Sequence, residues 1–314
     1  MNYLKKNLKA KSISMFKTNY NSDSKETFKE NYIINIKNVK IGGGNLFSIG
    51  GPCSIESKNQ LEECAKVVLE SGSQALRGGA FKPRTSPYEY QGMGIEGIYI
   101  ISEIAQKYNL LSVSEIMSVE QLELAYKYLD IIQIGARNMQ NFELLKSLGK
   151  INNPILLKRG FCNTYEELLM SAEYIISNGN PNVILCERGI RTFEGYNRNT
   201  LDLSAIPSLK EITHLPIIVD PSHGTGRKSI VPTMSIAAIA AGSDGLIVEV
   251  HPDPSNSVSD AAQTLSFSDY KIMMKKVLQV HQLISSFWYY NILYLEQYYL
   301  IHVKYFNKYL RETI

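Results

Sequence analysis

The chain has 314 residues, of which 44% are hydrophobic and 20% charged, a composition typical of a globular protein with a large core. The net charge of +3 is small, which argues against nucleic acid as a partner but permits small anionic ligands. The longest uncharged apolar stretch starts at Leu283 and is too short to span a bilayer, so we expect no membrane association. Four cysteines without a C-x-x-C pair are typical of reduced thiols and predict a cytoplasmic protein.

The predicted elements begin after an N-terminal arm, residues 1–45, which we expect to be poorly ordered or to form a short strand. Eight short apolar or β-branched runs follow, and each leads into polar motif residues and then a helix-patterned segment. The runs are centred near Phe47, Leu76, Val113, Ile132, Leu156, Ile184, Ile218 and Ile247. Helical segments such as residues 57–72 and 164–179 begin with a polar residue and end at a glycine. The alternation predicts an α/β fold, a (β/α)8 TIM barrel forming a single catalytic domain over residues 46–278.

The last predicted element is a helical C-terminal extension, residues 279–314, which is crowded with aromatic side chains. It has no basic face of the kind that binds membrane surfaces. We expect a helix that packs on the barrel or on another subunit, or an extension without function, and we expect a homo-oligomer.

The arginines have an uneven distribution along the chain. Only nine of the 33 basic residues are arginines, and eight of them follow predicted strands. These eight are Arg77, Arg84, Arg137, Arg159, Arg188, Arg191, Arg198 and Arg227. Any one arginine could simply favour a solvated loop, but a barrel brings the loops after its strands to one mouth. Eight together therefore predict a cationic pocket for a substrate with more than one phosphate or carboxylate.

Four potential metal ligands occupy comparable positions, namely Cys53, His223, Glu249 and Asp260. Each has an ordinary structural explanation, for example a small buried filler for Cys53 or an acid at a helix N-terminus for Asp260. Glu249 is the hardest to explain in this way, because a carboxylate within the apolar run GLIVEVH needs a cation beside it. A thiol, an imidazole and two carboxylates favour one divalent transition ion, Mn²⁺, Fe²⁺, Co²⁺ or Zn²⁺, over Ca²⁺ or Mg²⁺.

Seven motifs stand in one order between about residues 47 and 265. They are GPCSIES from Gly51, LRGGAFKPRTSPYEYQGMG from Leu76, IGARNMQN from Ile134, LLKRG from Leu156, CERGIRTFE from Cys186, DPSHGTGR from Asp220 and VEVHPDPSNSVSD from Val248. Together they resemble the type I beta group of 3-deoxy-D-arabino-heptulosonate 7-phosphate (DAHP) synthases. That family condenses phosphoenolpyruvate with erythrose 4-phosphate, the first step of the shikimate pathway to chorismate and the aromatic amino acids. The resemblance implies a metal-dependent transferase whose substrates are both multiply anionic.

The resemblance also implies a role for each matching residue. Cys53, His223, Glu249 and Asp260 would hold the metal ion. The residues implied in phosphoenolpyruvate binding are Arg77, Lys82, Arg137, Lys158 and Arg188, together with Glu115 and the backbone at Ala136. The segment formed by Lys82, Pro83, Arg84 and Thr85 resembles the erythrose 4-phosphate site. Lys82, Cys53 and His223 are the predicted catalytic residues, Lys82 as the proton donor to the new alkoxide.

Two alternatives stay open. A 3-deoxy-D-manno-octulosonate 8-phosphate synthase shares the barrel and the phosphoenolpyruvate site but uses arabinose 5-phosphate, and its loop resembles Lys-Ala-Asn-Arg rather than the Lys-Pro-Arg-Thr of residues 82–85. A non-catalytic barrel that binds a phosphorylated metabolite is an alternative of another class. Because only residues 1–46 precede the first strand, we expect no ferredoxin-like or chorismate-mutase regulatory domain and no feedback inhibition.

Overall fold

The computed structural model describes residues 31–83, 86 and 88–286. Eight parallel strands form a closed barrel in chain order, with the last strand paired to the first. The strands of the barrel are β3 (Phe47–Gly51), β4 (Ala75–Arg77), β5 (Leu111–Glu115), β6 (Ile131–Ile134), β7 (Ile155–Lys158), β8 (Val183–Glu187), β9 (Ile217–Val219) and β10 (Gly245–Glu249). The predicted (β/α)8 barrel is confirmed.

Helices follow the strands, and most of them cover the outside of the barrel. They are α1 (Lys58–Glu70), α2 (Ile95–Lys107), α3 (Val119–Ala125), α4 (Phe142–Leu148), α5 (Tyr165–Ile176), α6 (Ala205–Ile212), α7 (Pro221–Thr225), α8 (Val231–Ala240) and α9 over residues 267–286. Local signals set several starts. In α5, Thr164 accepts a hydrogen bond from the Glu167 N–H while the Glu167 carboxylate accepts from the Thr164 N–H, a complete capping box. Within the described ranges, no helix is both long and apolar enough to cross a bilayer.

The core has two layers because the barrel strands are buried on both faces. Outward-facing residues pack against the helices, and inward-facing residues such as Ile49 and Ile247 fill the barrel. A hairpin of β1 (Ile34–Ile36) and β2 (Val39–Ile41), within the predicted arm, adds Ile34 and Ile41 to the interior cluster beside Phe47, the first residue of β3. The hairpin thereby closes the N-terminal end of the barrel, and the C-terminal end stays open for a site.

The predicted domain boundaries stay predictions. Of the predicted C-terminal extension, residues 279–286 continue α9, and residues 287–314 lie outside the described chain. The helix is held to the barrel by Tyr270, which is fully buried and whose hydroxyl lies 2.7 Å from the Ser73 Oγ.

Charged residues end several barrel strands at the open mouth. Arg77, Glu115, Lys158 and Glu249 are each the last residue of their strand, so closure of the barrel brings them to one level. β3 ends at Gly51, which lies opposite Glu249 and has a φ of +144°. A Cβ at that position would lie 2.1 Å from the Arg77 carbonyl oxygen, so only glycine lets the chain continue to Cys53.

Candidate active site

A cavity of about 240 Å³ opens at the mouth of the barrel. Its lining includes most of the residues implied in substrate binding, namely Arg77, Lys82, Pro83, Glu115, Ala136, Arg137, Lys158 and Arg188. Arg84 and Thr85 fall outside the described residues. The cavity is therefore lined by cations from four different strands and loops, as the arginine pattern indicates.

Several lining residues were not predicted. Gln133 lies within the buried strand β6 and donates to the Glu115 carboxylate at 3.1 Å. A polar residue in the apolar run DIIQIGA was a signal that could have marked it. Arg198 stood among the eight arginines without an assigned role, and nothing in the sequence pattern marks Phe161.

The four predicted metal ligands meet at the edge of this cavity. One donor atom from each of Cys53, His223, Glu249 and Asp260 lies within 4.8 Å of the other three. The His223 Nε2 is 3.3 Å from the Glu249 Oε1 and 3.7 Å from the Asp260 Oδ2, and the Cys53 Sγ is 3.0 Å from the same Asp260 oxygen. Four residues that are far apart in sequence thus present ligand atoms to one point.

The donor set fits a divalent ion. The His223 Nδ1 lies 2.7 Å from the Asp220 Oδ2, so its N–H donates there and the Nε2 lone pair faces the cluster. Burial lowers the pKa of His223, in spite of the Asp220 and Glu249 carboxylates that act to raise it. The Glu249 Oε1 is buried and has no hydrogen-bond partner among the described residues. The Arg77 Nη1 lies 3.3 Å from this oxygen without hydrogen bonding to it. A buried carboxylate oxygen that makes no hydrogen bond and faces a neutral imidazole is accounted for by a metal cation between them.

Electrostatics also favour a cation at this point. Burial raises the pKa of the Cys53 thiol to about 12, and the Glu249 carboxylate adds to the effect while Lys82 opposes it. Burial also acts to raise the pKa of Asp260. The opposite effect of His223 and Arg198 is stronger, so the pKa of Asp260 lies below its usual range. The thiol is thus protonated at neutral pH in the metal-free protein, and a bound metal would be needed to stabilise the thiolate.

Asp220 connects the cluster of predicted metal ligands with the cationic cavity. Its carboxylate is fully buried and contacts both the Lys158 ammonium and the His223 ring, while its second oxygen caps α7 by accepting the His223 N–H at 2.9 Å. Burial acts to raise the pKa of Asp220, but His223 and Lys158 hold it well below the usual range. Asp220 was not predicted as a site residue, although an acid directly before Pro221 is a signal for a helix N-cap.

Arg77 supplies a deeply buried cationic group to the cavity. Its side chain is 5% exposed, and its Nη1 is 3.3 Å from the Glu249 Oε1. Neither Nε nor Nη1 has a hydrogen-bond partner within the described part of the chain. Buried guanidinium donors that make no hydrogen bond are expected where an anionic ligand binds.

Phe161 gathers three arginines at the rim of the cavity. The guanidinium groups of Arg137, Arg188 and Arg191 lie 5.4, 4.8 and 4.8 Å from the centre of its ring. These distances are within the range of cation–π attraction. The ring therefore concentrates positive charge from two different loops.

Two of the eight arginines serve other contacts. Arg159 is buried and bound to the carboxylates of Glu187 and Asp202 at 2.8 and 2.9 Å. Arg227 lies over the Tyr196 ring at 4.1 Å. The arginine pattern thus predicts the cationic mouth correctly but does not separate ligand-binding arginines from structural ones.

The comparison with known families decides the assignment. Residues 23–286 match the sequence model of the DAHP synthetase I family. The chain belongs to the DAHP synthetase I family. A curated relative, the phospho-2-dehydro-3-deoxyheptonate aldolase of Thermotoga maritima, is 51% identical over 258 residues, which are 82% of this chain and 76% of the relative. A crystal structure of that DAHP synthase superposes with a TM-score of 0.83 at 48% identity, covering 86% of this chain and 79% of the other.

More distant members of the comparison bear on the first alternative. The 2-dehydro-3-deoxyphosphooctonate aldolase of Syntrophotalea carbinolica is 30% identical over 272 residues, which are 81% of this chain and 97% of the relative. The much higher identity to the Thermotoga enzyme favours a DAHP synthase over an octulosonate 8-phosphate synthase. The family and the enzyme class predicted from the sequence, a 3-deoxy-7-phosphoheptulonate synthase, are confirmed.

Proposed function

We propose that this member of the DAHP synthetase I family condenses phosphoenolpyruvate with erythrose 4-phosphate and water, giving DAHP and inorganic phosphate. The observation that carries the proposal is the convergence of four cations, from Arg77, Arg137, Lys158 and Arg188, directly beside the cluster of four metal donors. Two phosphorylated substrates repel each other, so a site that joins them must supply such charge and hold the reacting atoms together.

Each substrate is given its own part of the cavity in this proposal. The phosphate and carboxylate of phosphoenolpyruvate are bound by Arg77, Arg137, Lys158 and Arg188, with Glu115 and the backbone at Ala136 completing the contacts. Erythrose 4-phosphate lies against the segment of Lys82, Pro83, Arg84 and Thr85, where Pro83 stiffens the turn. The placement is supported by the shared lining of one cavity, in which Lys82 and Pro83 lie beside the phosphoenolpyruvate residues.

The reaction makes one carbon–carbon bond, and at C2 it replaces the bond to the bridging phosphate oxygen with a bond to the oxygen of water. C3 of the enol phosphate attacks the aldehyde carbon, whose oxygen becomes an alkoxide and takes up a proton. Water adds its oxygen to C2 and releases a proton, and the bond between C2 and the bridging oxygen breaks to release phosphate. The arginines stabilise the phosphate group throughout, because their donors are already in place and need no reorganisation.

One divalent ion is proposed as the cofactor, held by Cys53, His223, Glu249 and Asp260. The mixed sulfur, nitrogen and oxygen donors favour Mn²⁺, Fe²⁺, Co²⁺ or Zn²⁺. When bound, such an ion supplies Lewis-acid chemistry that polarises the aldehyde oxygen or activates water. Asp220 keeps the His223 ring in the orientation and tautomer that binding requires.

Lys82 is proposed as the proton donor to the alkoxide. Its ammonium group is buried at the cavity wall, 2.9 Å from both the sulfur and the carbonyl oxygen of Cys53.

Lys82→Met should lower kcat by roughly 100-fold or more, because a positioned acid or base contributes about 10²–10⁴-fold. Lys82→Arg is the matched control that keeps the charge but does not release a proton at neutral pH. Near-normal kcat in Lys82→Met, with only a raised KM, would show that Lys82 binds substrate without transferring a proton.

Phosphate release from phosphoenolpyruvate tests the proposed reaction. We expect release only when erythrose 4-phosphate is added, loss of release with a chelator, and recovery with Mn²⁺. Arabinose 5-phosphate in place of erythrose 4-phosphate should support much slower turnover. Equal turnover of both sugars would favour the octulosonate alternative, and no release under any condition would favour the non-catalytic barrel.

The homo-oligomer and the cytoplasmic location stay predictions. All four cysteines, Cys53, Cys64, Cys162 and Cys186, are free thiols. Free thiols are typical of a reducing compartment, which supports the cytoplasmic location.

A further inference from the structure

We propose that Arg198 and Gln263 form a positioning pair that holds the two carboxylate ligands, Glu249 and Asp260, so that each presents a single oxygen to the metal. This inference rests on the proposed metal site. It assigns Arg198 a task other than binding the anionic substrates, although its side chain reaches the cavity.

The hydrogen bonds run from one arginine to both carboxylates. The Arg198 Nη1 donates to the Asp260 Oδ1 at 2.8 Å and to the Gln263 Oε1 at 2.8 Å. The Gln263 Nε2 in turn donates to the Glu249 Oε2 at 2.7 Å. Because the amide oxygen of Gln263 accepts from a cation, its nitrogen must face the carboxylate, which fixes the orientation of the amide.

The second oxygen of each carboxylate, which Arg198 and Gln263 do not bind, faces the metal-ligand cluster. The Asp260 Oδ2 lies 3.0 Å from the Cys53 sulfur, and the Glu249 Oε1 lies 3.3 Å from the His223 Nε2. Each carboxylate is thus held by its outer oxygen while its inner oxygen is directed to the common point. Two donors from two residues account for both orientations.

Glu249 and Asp260 need these hydrogen-bond partners because their positions are energetically unfavourable. Asp260 has a φ of +56°, in the left-handed region, which is unfavourable for a residue other than glycine. Glu249 and Gln263 are 0% and 2% exposed, so neither carboxylate nor amide can be satisfied by bulk water. The Arg198 charge also reduces the repulsion between two acids that share one small volume.

Arg198 is itself anchored to the element that carries His223. Its backbone N–H donates to the Thr225 carbonyl at 3.1 Å, at the end of α7. A Cβ at Gly226 would lie 2.3 Å from the Arg198 Cβ, so the two segments are in close contact. The loop after β8 therefore joins the segments bearing His223 and Asp260, and through Gln263 it reaches Glu249.

Metal affinity is the direct test, measured on metal-free protein titrated with Mn²⁺ or Zn²⁺ against a competing chelator at constant pH. Arg198→Met and Gln263→Leu should each weaken binding by about 10- to 100-fold, the usual effect of losing a partner that orients a metal ligand. The double variant should be little weaker than the poorer single variant, because both residues act through one pair. Arg227→Met, a matched change at the same rim whose guanidinium contacts Tyr196 and no metal ligand, should leave the metal affinity unchanged.

Two further measurements separate the possible outcomes. Thermal unfolding of the metal-free proteins shows whether each variant folds, and Arg198→Lys, which keeps the charge but not the fork, should bind metal with intermediate affinity. Wild-type metal affinity in folded Arg198→Met, with a raised KM for erythrose 4-phosphate, would overturn the inference and place Arg198 in the substrate site. Normal metal binding by the wild-type protein without DAHP formation would instead contradict the proposed function alone.

Discussion

Cys53→Ala is expected to abolish DAHP formation, and added Mn²⁺ is not expected to restore it. The thiol contributes the single sulfur donor of the cluster, and its sulfur lies 3.0 Å from the Asp260 Oδ2. Lewis-acid catalysis supplies several kcal/mol to the transition state, and about 1.4 kcal/mol corresponds to tenfold in rate. A site that no longer holds the ion should therefore lose roughly 1,000-fold or more in kcat. His223→Ala and Glu249→Ala should behave in the same way.

Cys64→Ala provides the control for this experiment. Cys64 is also fully buried, but it lies on α1, and its closest polar contact is the Val250 carbonyl at 3.6 Å. That variant should keep both its bound metal and its activity, with a modest loss of stability from the small cavity. Metal content measured on each purified protein, together with the rate of phosphate release, completes the test. Activity of Cys53→Ala that returns with excess Mn²⁺ would contradict the ligand assignment.

Asp220→Asn is expected to have an effect of comparable size through a residue that touches neither substrate. The substitution removes the negative charge that faces the buried Lys158 ammonium, and breaking a buried pair costs about 3–5 kcal/mol. It also lets an amide donate to the His223 Nδ1, which would leave the proton on Nε2 and remove the lone pair that faces the metal. The cost of breaking the buried pair falls on the stability of the fold. We expect kcat/KM to fall by roughly 1,000-fold or more because the misplaced Lys158 and the altered His223 tautomer both act on the reaction, and about 1.4 kcal/mol of lost transition-state stabilisation corresponds to tenfold.

Separate measurements resolve the two contributions of Asp220. Metal affinity should fall by about 10- to 100-fold, the usual effect of losing the partner of a ligating histidine, and the KM for phosphoenolpyruvate should rise because Lys158 is no longer held. Asp202→Asn is the matched control, since Asp202 accepts from Arg159 and Tyr165 and contacts neither Lys158 nor His223. Loss of substrate affinity with unchanged metal affinity would show that Asp220 serves Lys158 alone.

The sequence by itself determined the fold and the kinds of group at the site. Apolar runs of strand length, each followed by a helix-patterned segment, are local patterns, and they predicted all eight barrel strands. The order of the seven motifs was sufficient to predict the family. The type of ligand was also readable, because a carboxylate such as Glu249 inside an apolar strand needs a cation wherever that strand lies.

Only the tertiary structure decided which group acts on which. Lys158 ends β7 and His223 lies on α7, yet both contact Asp220, and Arg198 reaches Asp260 and Gln263 across 62 and 65 residues. Arg159 and Arg188 each follow a barrel strand directly and precede a glycine, so they look alike in sequence. Arg159 is nevertheless bound to two carboxylates, whereas Arg188 faces the cavity. These pairings depend on how eight strands close into a ring, and contact distances of 3 Å across that ring are set by packing rather than by any local pattern.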